Sequence, residues 1–233
     1  MAKSKRRINI NDGFNSELAK GAEFVGRFEL PNIRPLNTII IPKHLIPFSE
    51  RNKANYSSET FVMFYEHDDH FAELVAHPGI FVDDLRRFAG VVSPDNSLYR
   101  DMPFSCQLCN IYRNRLIGSF LQRNGINVIA NCRWGDERTY TDSVFGEPAA
   151  FVGLPKNNVV SVGTYGCIQS EDDKYYFKKG LNVMLDYLNP EVVIVYGAMP
   201  DSVFADYIDR TKFVNYKDWM AVCHRKDDLW GAA

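Results

Sequence analysis

Two aspartates follow short apolar runs, at positions where a carboxylate could carry acid–base chemistry. Asp95 comes soon after the run at 90–92, and Asp68 comes soon after the run at 61–65. A carboxylate held at such a position can act as a general base, a metal ligand or an acceptor for a hydroxyl group. We predict that Asp95 and Asp68 are catalytic. The structural alternatives are that Asp95 builds a turn and that Asp68 or Asp69 caps a helix.

The segment around Asp68 also concentrates side chains that can bind metals. Residues 66–70 read EHDDH, and a metal site would need two or three of them to converge with a distant group such as Asp95. Adjacent residues of an extended chain point to opposite faces, so few of the five can converge. The sequence therefore leaves open whether the protein uses a metal or any other cofactor.

An aromatic ring beside basic side chains follows a later apolar run. Trp134 could stack on a base or a sugar while Arg133 or Arg138 grips a phosphate or a carboxylate. The alternative is that Trp134 seals the rim of the core, which is common for a large aromatic side chain after a strand. We predict Arg133 and Trp134 as ligand-binding residues.

Three hydroxyl-bearing side chains, one in the loop of Asp95 and two at a further predicted strand end, complete the site. Tyr99 lies in the same loop as Asp95, and Thr164 and Tyr165 lie in the GTYGC segment at 163–167, between a predicted strand and a predicted helix. The amides of that segment and the helix N-terminus could receive an anion, whereas the alternative is a plain tight turn. The segment lacks both the P-loop spacing and the GxGxxG pattern. We predict that Tyr99, Thr164 and Tyr165 contact the ligand.

Apolar and β-branched runs recur along the chain, each followed by a polar or Gly/Pro break and a helix-like stretch. Runs of this kind are typical of buried parallel strands. The predicted strands are 38–41, 61–65, 90–92, 126–129, 159–162, 192–196 and 212–214. Strands that alternate with helices predict an α/β fold with parallel strands, either a compact (β/α) barrel, complete or incomplete, or an open doubly wound sheet. In both folds ligands bind at the carboxyl ends of the strands.

Helices are predicted between these strands from apolar spacing and end signals. One covers 103–124 with Asp101 as its cap, one begins at Ser170 with Asp173 as its capping-box partner, and one follows Asp69. Within the first of them, residues 113–115 (RNR) cannot share a face, because successive helical residues are about 100° apart. We therefore expect two of those three side chains to face solvent.

The chain divides into an N-terminal extension at 1–35 and a single α/β domain at 36–233. The extension begins with a basic tail formed by Lys3, Lys5, Arg6 and Arg7. Such a run is usually a solvated tail, and the alternative is an arm that binds a host protein or nucleic acid. The 27 basic and 29 acidic residues give a net charge of −2, which provides no attraction of the whole chain to nucleic acid or anionic membranes.

The cysteine count and the length of the apolar runs indicate the compartment. Five cysteines are an odd number in a 233-residue chain, which is too large to need disulfides. The apolar runs are far shorter than the roughly 20 residues that span a bilayer. We therefore expect a reducing, cytoplasmic setting and no membrane association.

Several segments together resemble a known family. They are SPDNSLY at 93–99, DMP at 101–103, YRNR at 112–115, GINVI at 125–129, VGTYGC at 162–167 and VYGAMP at 195–200. With this pattern the chain resembles domain of unknown function 4417 of bacteria, phages and other mobile elements, over about residues 33–215. The resemblance implies a phage or mobile-element context and implies no activity. Where that family tends to have a proline and a small residue before the tryptophan, this chain has Ala130-Asn131-Cys132-Arg133.

These observations favour one function and leave a second open. The first is a protein that binds or hydrolyses a small phosphorylated or sugar-like ligand at the strand C-terminal ends. The alternative is a phage-encoded binding protein that acts on a host protein or nucleic acid without catalysis. Because α/β folds host unrelated functions, the fold cannot choose between them.

Overall fold

The computed structural model of the chain describes residues 15–143 and 146–223. A short antiparallel hairpin consists of β1 (Phe24–Val25) and β2 (Leu30–Pro31). The main sheet consists of β3 (His44–Pro47), β4 (Thr60–Met63), β5 (Gly90–Val92), β6 (Val128–Asn131), β7 (Val159–Gly163), β8 (Val192–Tyr196) and β9 (Lys212–Tyr216). The helices are α1 (Ser16–Ala19), α2 (Ala72–Ala76), α3 (Val82–Leu85), α4 (Phe104–Arg123), α5 (Glu137–Tyr140), α6 (Glu171–Leu188), α7 (Asp201–Phe204) and α8 (Trp219–Cys223). Five 3₁₀ turns complete the described elements: Phe48–Lys53, Ser57–Glu59, Asp68–Phe71, Pro78–Phe81 and Ala205–Tyr207.

The seven strands of the main sheet are parallel, and their spatial order is their order along the chain. A doubly wound sheet would require the order to reverse at a switch point, so that alternative is wrong. The sheet curls into a half-barrel flanked by helices, as the barrel prediction in its incomplete form requires. The Tyr216 hydroxyl at the end of β9 donates to the Pro42 carbonyl just before β3, and this contact links the two open edges.

The core has two layers because alternate strand residues point to opposite faces of the sheet. The inner layer contains Phe61 and Met63 of β4, Ile129 of β6 and Ile194 of β8. The outer layer contains the intervening strand residues, such as Val62, and packs against the apolar faces of the helices. Parallel strands covered on both faces therefore read as continuous apolar runs in the sequence.

Six of the seven predicted strands lie in the main sheet, with shifts of at most two residues at their ends, and one prediction is wrong. The run at 38–41 forms no strand; the first strand of the main sheet is His44–Pro47, which pairs with Thr60–Met63. Ile39 and Ile40 instead pack, partly buried, against the inner layer. Apolar side chains without ladder partners therefore fill space here, while Pro42 separates them from the paired segment.

The two long helices match their predicted bounds closely, but one predicted cap is wrong. Ser170 caps α6, and its side chain and that of Asp173 form the predicted capping box. Pro103 occupies the N-cap position of α4, without a side-chain cap from Asp101. The helix predicted after Asp69 is present as the 3₁₀ turn Asp68–Phe71 followed by α2.

The solvent-facing prediction for residues 113–115 is also wrong. Asn114 and Arg115 are buried, and Arg113 is half-buried. The Arg115 guanidinium donates to the backbone carbonyls of Asn131, Ala150 and Val152. It therefore ties α4 to the end of β6 and to the turn that precedes β7.

The described part of the N-terminal extension packs on α4. Ile33 is fully buried and approaches Gly118 of α4, and Leu30 of β2 lies in a small cluster with Leu98 and Ile111. The basic tail at 3–7 lies outside the described residues. Among residues 15–143 and 146–223, no helix is both long enough and apolar enough to cross a bilayer.

Candidate ligand-binding site

A cavity of about 130 Å³ opens at the carboxyl ends of β6 and β7. Its walls come from the loop after β5 (98–100), the loop after β6 (132–135), the end of β7 with the loop after it (Gly163, Gly166 and Cys167) and the first turns of α6 (Asp173, Tyr176 and Phe177). Of the predicted site residues, the structure brings Tyr99, Arg133 and Trp134 into this wall. Its position agrees with the expectation that the carboxyl ends of parallel strands carry the site.

The loop after β5 is held by α4 from one side. The side-chain oxygen of Asn114 accepts from the backbone and side-chain N–H groups of Asn96 at 2.8 and 2.6 Å. Asn110, one turn earlier, donates to the Ser97 carbonyl at 2.7 Å. These bonds fix the loop that carries Asp95 and Tyr99.

Asp68 holds the same loop from the other side. Its carboxylate accepts from the backbone N–H of Ser97 at 3.2 Å and from the Ser97 hydroxyl at 3.0 Å. The predicted role of Asp68 or Asp69 as a helix cap is wrong, since His67 occupies the N-cap position and makes no side-chain cap bond. In this arrangement Asp68 positions the loop rather than lining the cavity.

Arg133 is the more buried of the two guanidinium groups in the cavity wall. Its side chain is 17% exposed, its Nη1 lies 2.7 Å from Sγ of Cys167, and the same nitrogen lies 3.6 Å from Oδ2 of Asp95. Its Nε is buried and has no hydrogen-bond partner among the described residues. Burial alone would lower the pKa of Arg133, but the facing Cys167 and Asp95 outweigh it and raise the pKa, so the guanidinium stays charged.

Asp95 lies behind Arg133, close to the cavity but outside its lining. Its Oδ1 accepts from the side-chain nitrogen of Asn131 at 2.7 Å, and its Oδ2 faces Arg133. Burial raises the pKa of Asp95 above its ordinary value of 3.8; Arg133 and Asn131 oppose this rise, and Asp68 adds to it. The Asp95 carboxyl therefore holds its proton to a higher pH in the folded protein than in the unfolded chain.

This raised pKa predicts how stability depends on pH. Because the folded state binds the Asp95 proton more tightly, the contribution of Asp95 to the free energy of unfolding falls as the pH rises from 3.8 through the folded-state pKa. Urea denaturation of the wild type and of Asp95→Asn between pH 4 and pH 7 checks this, because the other titrating groups cancel in the difference. We expect the wild type to lose stability relative to the variant as the pH rises. A difference that stays constant or grows in favour of the wild type would contradict the assignment.

A buried polar network links Asp95 to the inside of the half-barrel. Asn131 of β6 pairs with Ser161 of β7 in the sheet register, and both side chains point to the inner face. The Tyr65 hydroxyl lies 3.0 Å from Oδ1 of Asn131 and 2.7 Å from Oγ of Ser161. Gly163 leaves room for the Tyr65 ring, which a Cβ at that position would overlap. The network thereby fixes the orientation of the Asn131 amide that supports Asp95.

Trp134 lines the cavity by its edge and is otherwise part of the core. Only 7% of its surface is exposed, and its ring centroid lies 4.9 Å from that of Phe177 and 5.8 Å from that of Phe151. Its indole ring occupies the space where a side chain of Gly180 in α6 would begin. Trp134 therefore seals the wall, and its faces are not available for stacking on a ligand.

The contact between Trp134 and α6 predicts an unusual effect of alanine in a helix. In an exposed helix interior, Gly→Ala stabilises by up to about 1 kcal/mol. At Gly180 we expect Gly180→Ala to destabilise by about 2 kcal/mol instead, because the new Cβ overlaps the indole ring. Thermal or urea denaturation measures the change, with Gly79→Ala as the control, since a Cβ there meets nothing within 4 Å. Equal stability changes in the two variants would show that the contact between Trp134 and Gly180 has no such cost.

The other predicted ligand-binding residues, Tyr99, Thr164 and Tyr165, differ in their position relative to the cavity. Tyr99 lines the cavity and is 56% exposed. Thr164 is buried, and its hydroxyl lies within hydrogen-bond distance of the carbonyls of Tyr196 and Ala198, so its contacts are structural. Tyr165 is 57% exposed on the loop after β7 and lies outside the cavity lining.

Two predicted anion-binding features, Arg138 and the N-terminus of α6, already have partners within the protein. The guanidinium of Arg138 makes a two-pronged contact with Asp136, at 2.9 Å from Nε and 2.6 Å from Nη2. The N-terminus of α6 is occupied by the capping box of Ser170, and its first turn carries three acidic residues, Glu171, Asp172 and Asp173. Negative charges at a helix N-terminus disfavour a further anion there, so Arg133 remains the better candidate.

The metal-competent segment at 66–70 does not converge on a common point. Glu66 accepts from the backbone and hydroxyl of Ser49 and lies 3.2 Å from His70, while Asp68 is engaged by Ser97. Within the part of the chain that the structure describes, no group of three or more His, Cys, Asp or Glu residues is arranged to hold a metal ion.

The sequence-based site left out Cys167, Tyr176 and the polar network around Asn131. A usable signal for the network was present, because Ser161 interrupts the apolar run at 159–162 at an inward position, as Asn131 does at the end of β6. For Tyr176 no such signal existed, since a tyrosine in the first turns of an amphipathic helix is compatible with either face.

This chain matches one protein family and is similar to two proteins of mycobacteriophages. The family described as "Domain of unknown function (DUF4417)" matches residues 22–217. The "Gene 1 protein" of Mycobacterium phage L5 is 26% identical over 193 residues, which cover 82% of this chain and 80% of that protein. The "Gene 1 protein" of Mycobacterium phage D29 is 26% identical over 174 residues, which cover 74% of this chain but only 61% of that protein. No solved structure matches this chain.

Proposed function

The chain belongs to the family described as domain of unknown function 4417, and we propose that it binds a small phosphorylated ligand in the cavity at the ends of β6 and β7. One observation carries this proposal: a charged, largely buried guanidinium lies in the cavity wall, and its recorded hydrogen bond goes to a weak sulfur acceptor. The family membership confirms the resemblance seen in the sequence, and the relatives support a phage or mobile-element context.

Arg133 has the chemistry for such a ligand. A guanidinium offers five N–H donors in a planar fork that matches two oxygens of a phosphate or carboxylate. Its bond to Cys167 uses a weak sulfur acceptor, and Asp95 at 3.6 Å is beyond hydrogen-bond distance. A phosphate in the cavity would supply strong acceptors for the exposed part of the guanidinium, and charge-assisted bonds of this kind are among the strongest in proteins.

Asp95 supports this binding from behind. It faces Arg133 on one side and accepts from Asn131 on the other, so it orients the guanidinium toward the cavity. Burial raises its pKa above the ordinary value for an aspartate, so the carboxyl keeps its proton to a higher pH than a free aspartate does. Binding is therefore the core of the proposal, and hydrolysis of the bound ligand with Asp95 as the acid–base group is its extension.

A reducing, cytoplasmic setting is part of the proposal. All five cysteines are free thiols, and Arg133 and Cys167 are in contact, so oxidation of that thiol would alter the cavity wall. The alternative function, in which the basic tail binds a host protein or nucleic acid, concerns residues outside the described part of the chain. Deletion of residues 1–7 tests it, because loss of such an arm weakens partner binding in a salt-dependent way.

The free thiols of the protein provide a direct test of cavity occupancy. Cys167 lies in the cavity wall, whereas Cys106 and Cys109 are exposed on α4 outside it. We expect ribose 5-phosphate to slow alkylation of Cys167 by N-ethylmaleimide and to leave the two α4 cysteines unaffected, as read by peptide mass spectrometry. Ribose without phosphate is the matched ligand control and should give no protection. Equal alkylation of Cys167 with and without the sugar phosphate would overturn the proposal.

A further inference from the structure

We propose that the ligand of this cavity is a nucleoside monophosphate, with its phosphate on Arg133 and its base on the ring of Tyr99. This inference rests on the function proposed above and narrows it to one class of ligand. Three properties of the site support it: the size of the cavity, the exposed aromatic ring on its rim and the acidic turn beside it.

The cavity is too small to enclose a whole nucleotide. Sites that enclose small molecules usually measure about 300–1,000 Å³, whereas this cavity measures about 130 Å³. That space accommodates a phosphate and part of a sugar at Arg133. The remainder of a larger ligand must therefore lie on the rim, where the exposed side chains decide what is recognised.

Tyr99 is the aromatic side chain whose ring is open at that rim. Trp134 is buried between Phe177 and Phe151, and the face of Tyr176 is covered by the Arg100 guanidinium, 4.6 Å from the ring centroid. Tyr99 lines the same cavity as Arg133 and is 56% exposed. An exposed aromatic ring next to a phosphate-binding arginine is the arrangement on which a nucleobase stacks.

The acidic turn of α6 limits the number of phosphates. Asp173 lines the cavity, and Glu171 and Asp172 precede it. Arg100 is paired with Asp173 at 2.7 Å, so it does not provide a second phosphate site. Additional phosphates, or the continuing backbone of a nucleic-acid strand, would meet these carboxylates. The site therefore favours a single phosphate.

Isothermal titration of the full chain with matched ligands tests this inference. We expect adenosine 5′-monophosphate to bind about tenfold more tightly than ribose 5-phosphate, and adenosine 5′-triphosphate, without divalent cations, to bind more weakly than the monophosphate. Tyr99→Ala should remove the tenfold advantage and leave the affinity for ribose 5-phosphate unchanged. Tyr56→Ala is the control, because Tyr56 is also exposed but precedes β4 at the opposite end of the sheet.

The outcomes separate this inference from the proposal beneath it. If ribose 5-phosphate binds and the monophosphate binds no better, the cavity takes phosphorylated ligands but the nucleotide assignment is wrong. Tighter binding of the triphosphate, or of a 5′-phosphorylated oligonucleotide, would overturn the restriction to one phosphate. If neither ribose 5-phosphate nor the monophosphate binds, both proposals fail. If Tyr99→Ala and Tyr56→Ala changed the affinity for adenosine 5′-monophosphate equally, Tyr99 would not be the residue that contacts the base.

Discussion

Replacement of Arg133 by glutamine is expected to weaken binding of ribose 5-phosphate by about 100-fold, measured by isothermal titration. The variant keeps a polar side chain in the cavity wall but removes the charge and the planar fork of donors. Loss of one partner from a buried, hydrogen-bonded charge pair costs roughly 2–5 kcal/mol, and about 2.8 kcal/mol corresponds to 100-fold. Arg133→Lys should retain part of the affinity, because a lysine keeps the charge but cannot make the two-pronged contact.

Arg138→Gln is the matched control for this experiment. Arg138 is five positions away in the same loop region, and its guanidinium is committed to Asp136. We expect this variant to bind ribose 5-phosphate as the wild type does. If Arg138→Gln reduced the affinity as strongly as Arg133→Gln, the effect would come from general loss of positive charge and the assignment of Arg133 would fail.

Replacement of Arg115 by methionine is expected to lower the free energy of unfolding by about 3 kcal/mol. Arg115 is 2% exposed and donates to three backbone carbonyls, those of Asn131, Ala150 and Val152. Methionine fills similar space but leaves these buried acceptors without their donor, and each hydrogen bond to a charged group contributes about 1.5–3 kcal/mol. Relief of the cost of burying the guanidinium offsets part of this loss. Burial lowers the pKa of Arg115 to about 10, so it is still charged at neutral pH.

Urea denaturation measures the effect, with Arg113→Met as the control. Arg113 is two residues away on α4, is half-buried and bonds to Asn110 within the same helix at 3.2 Å. Its replacement should change the free energy of unfolding by less than about 1 kcal/mol. If both variants lowered the free energy of unfolding by similar amounts, the loss would reflect any substitution in this part of α4. The bonds from Arg115 to the backbone carbonyls would then not explain it.

Arg115 also shows where sequence reasoning reaches its limit. Strands such as 192–196 were predictable because parallel strands covered on both faces are apolar throughout. The inward face of α4 instead carries Gln107, Asn114 and Arg115, which bond to loops and carbonyls that no local pattern reveals. Polar side chains of α4 are therefore buried because they bond to the loops around the cavity, so their polarity does not predict exposure to solvent.

The same contrast applies to the site itself. The position of the cavity at the strand ends, and the presence of Tyr99 and Arg133 in its wall, could be predicted from chain order and side-chain chemistry. The burial of Trp134 could not, because it depends on Gly180 in a helix distant in the sequence, where only the absence of a side chain leaves room for the indole ring. The two-pronged contact that engages Arg138 with Asp136 could not be predicted either, because it depends on the conformation of the loop after β6.

The phosphate of the ligand can be observed directly by its ³¹P resonance. In a ³¹P NMR titration, we expect the resonance of ribose 5-phosphate to shift and broaden on addition of the wild-type protein and to stay unchanged on addition of Arg133→Gln. An unchanged resonance with the wild type, or the same change with both proteins, would contradict the assignment of this cavity to a phosphorylated ligand held by Arg133.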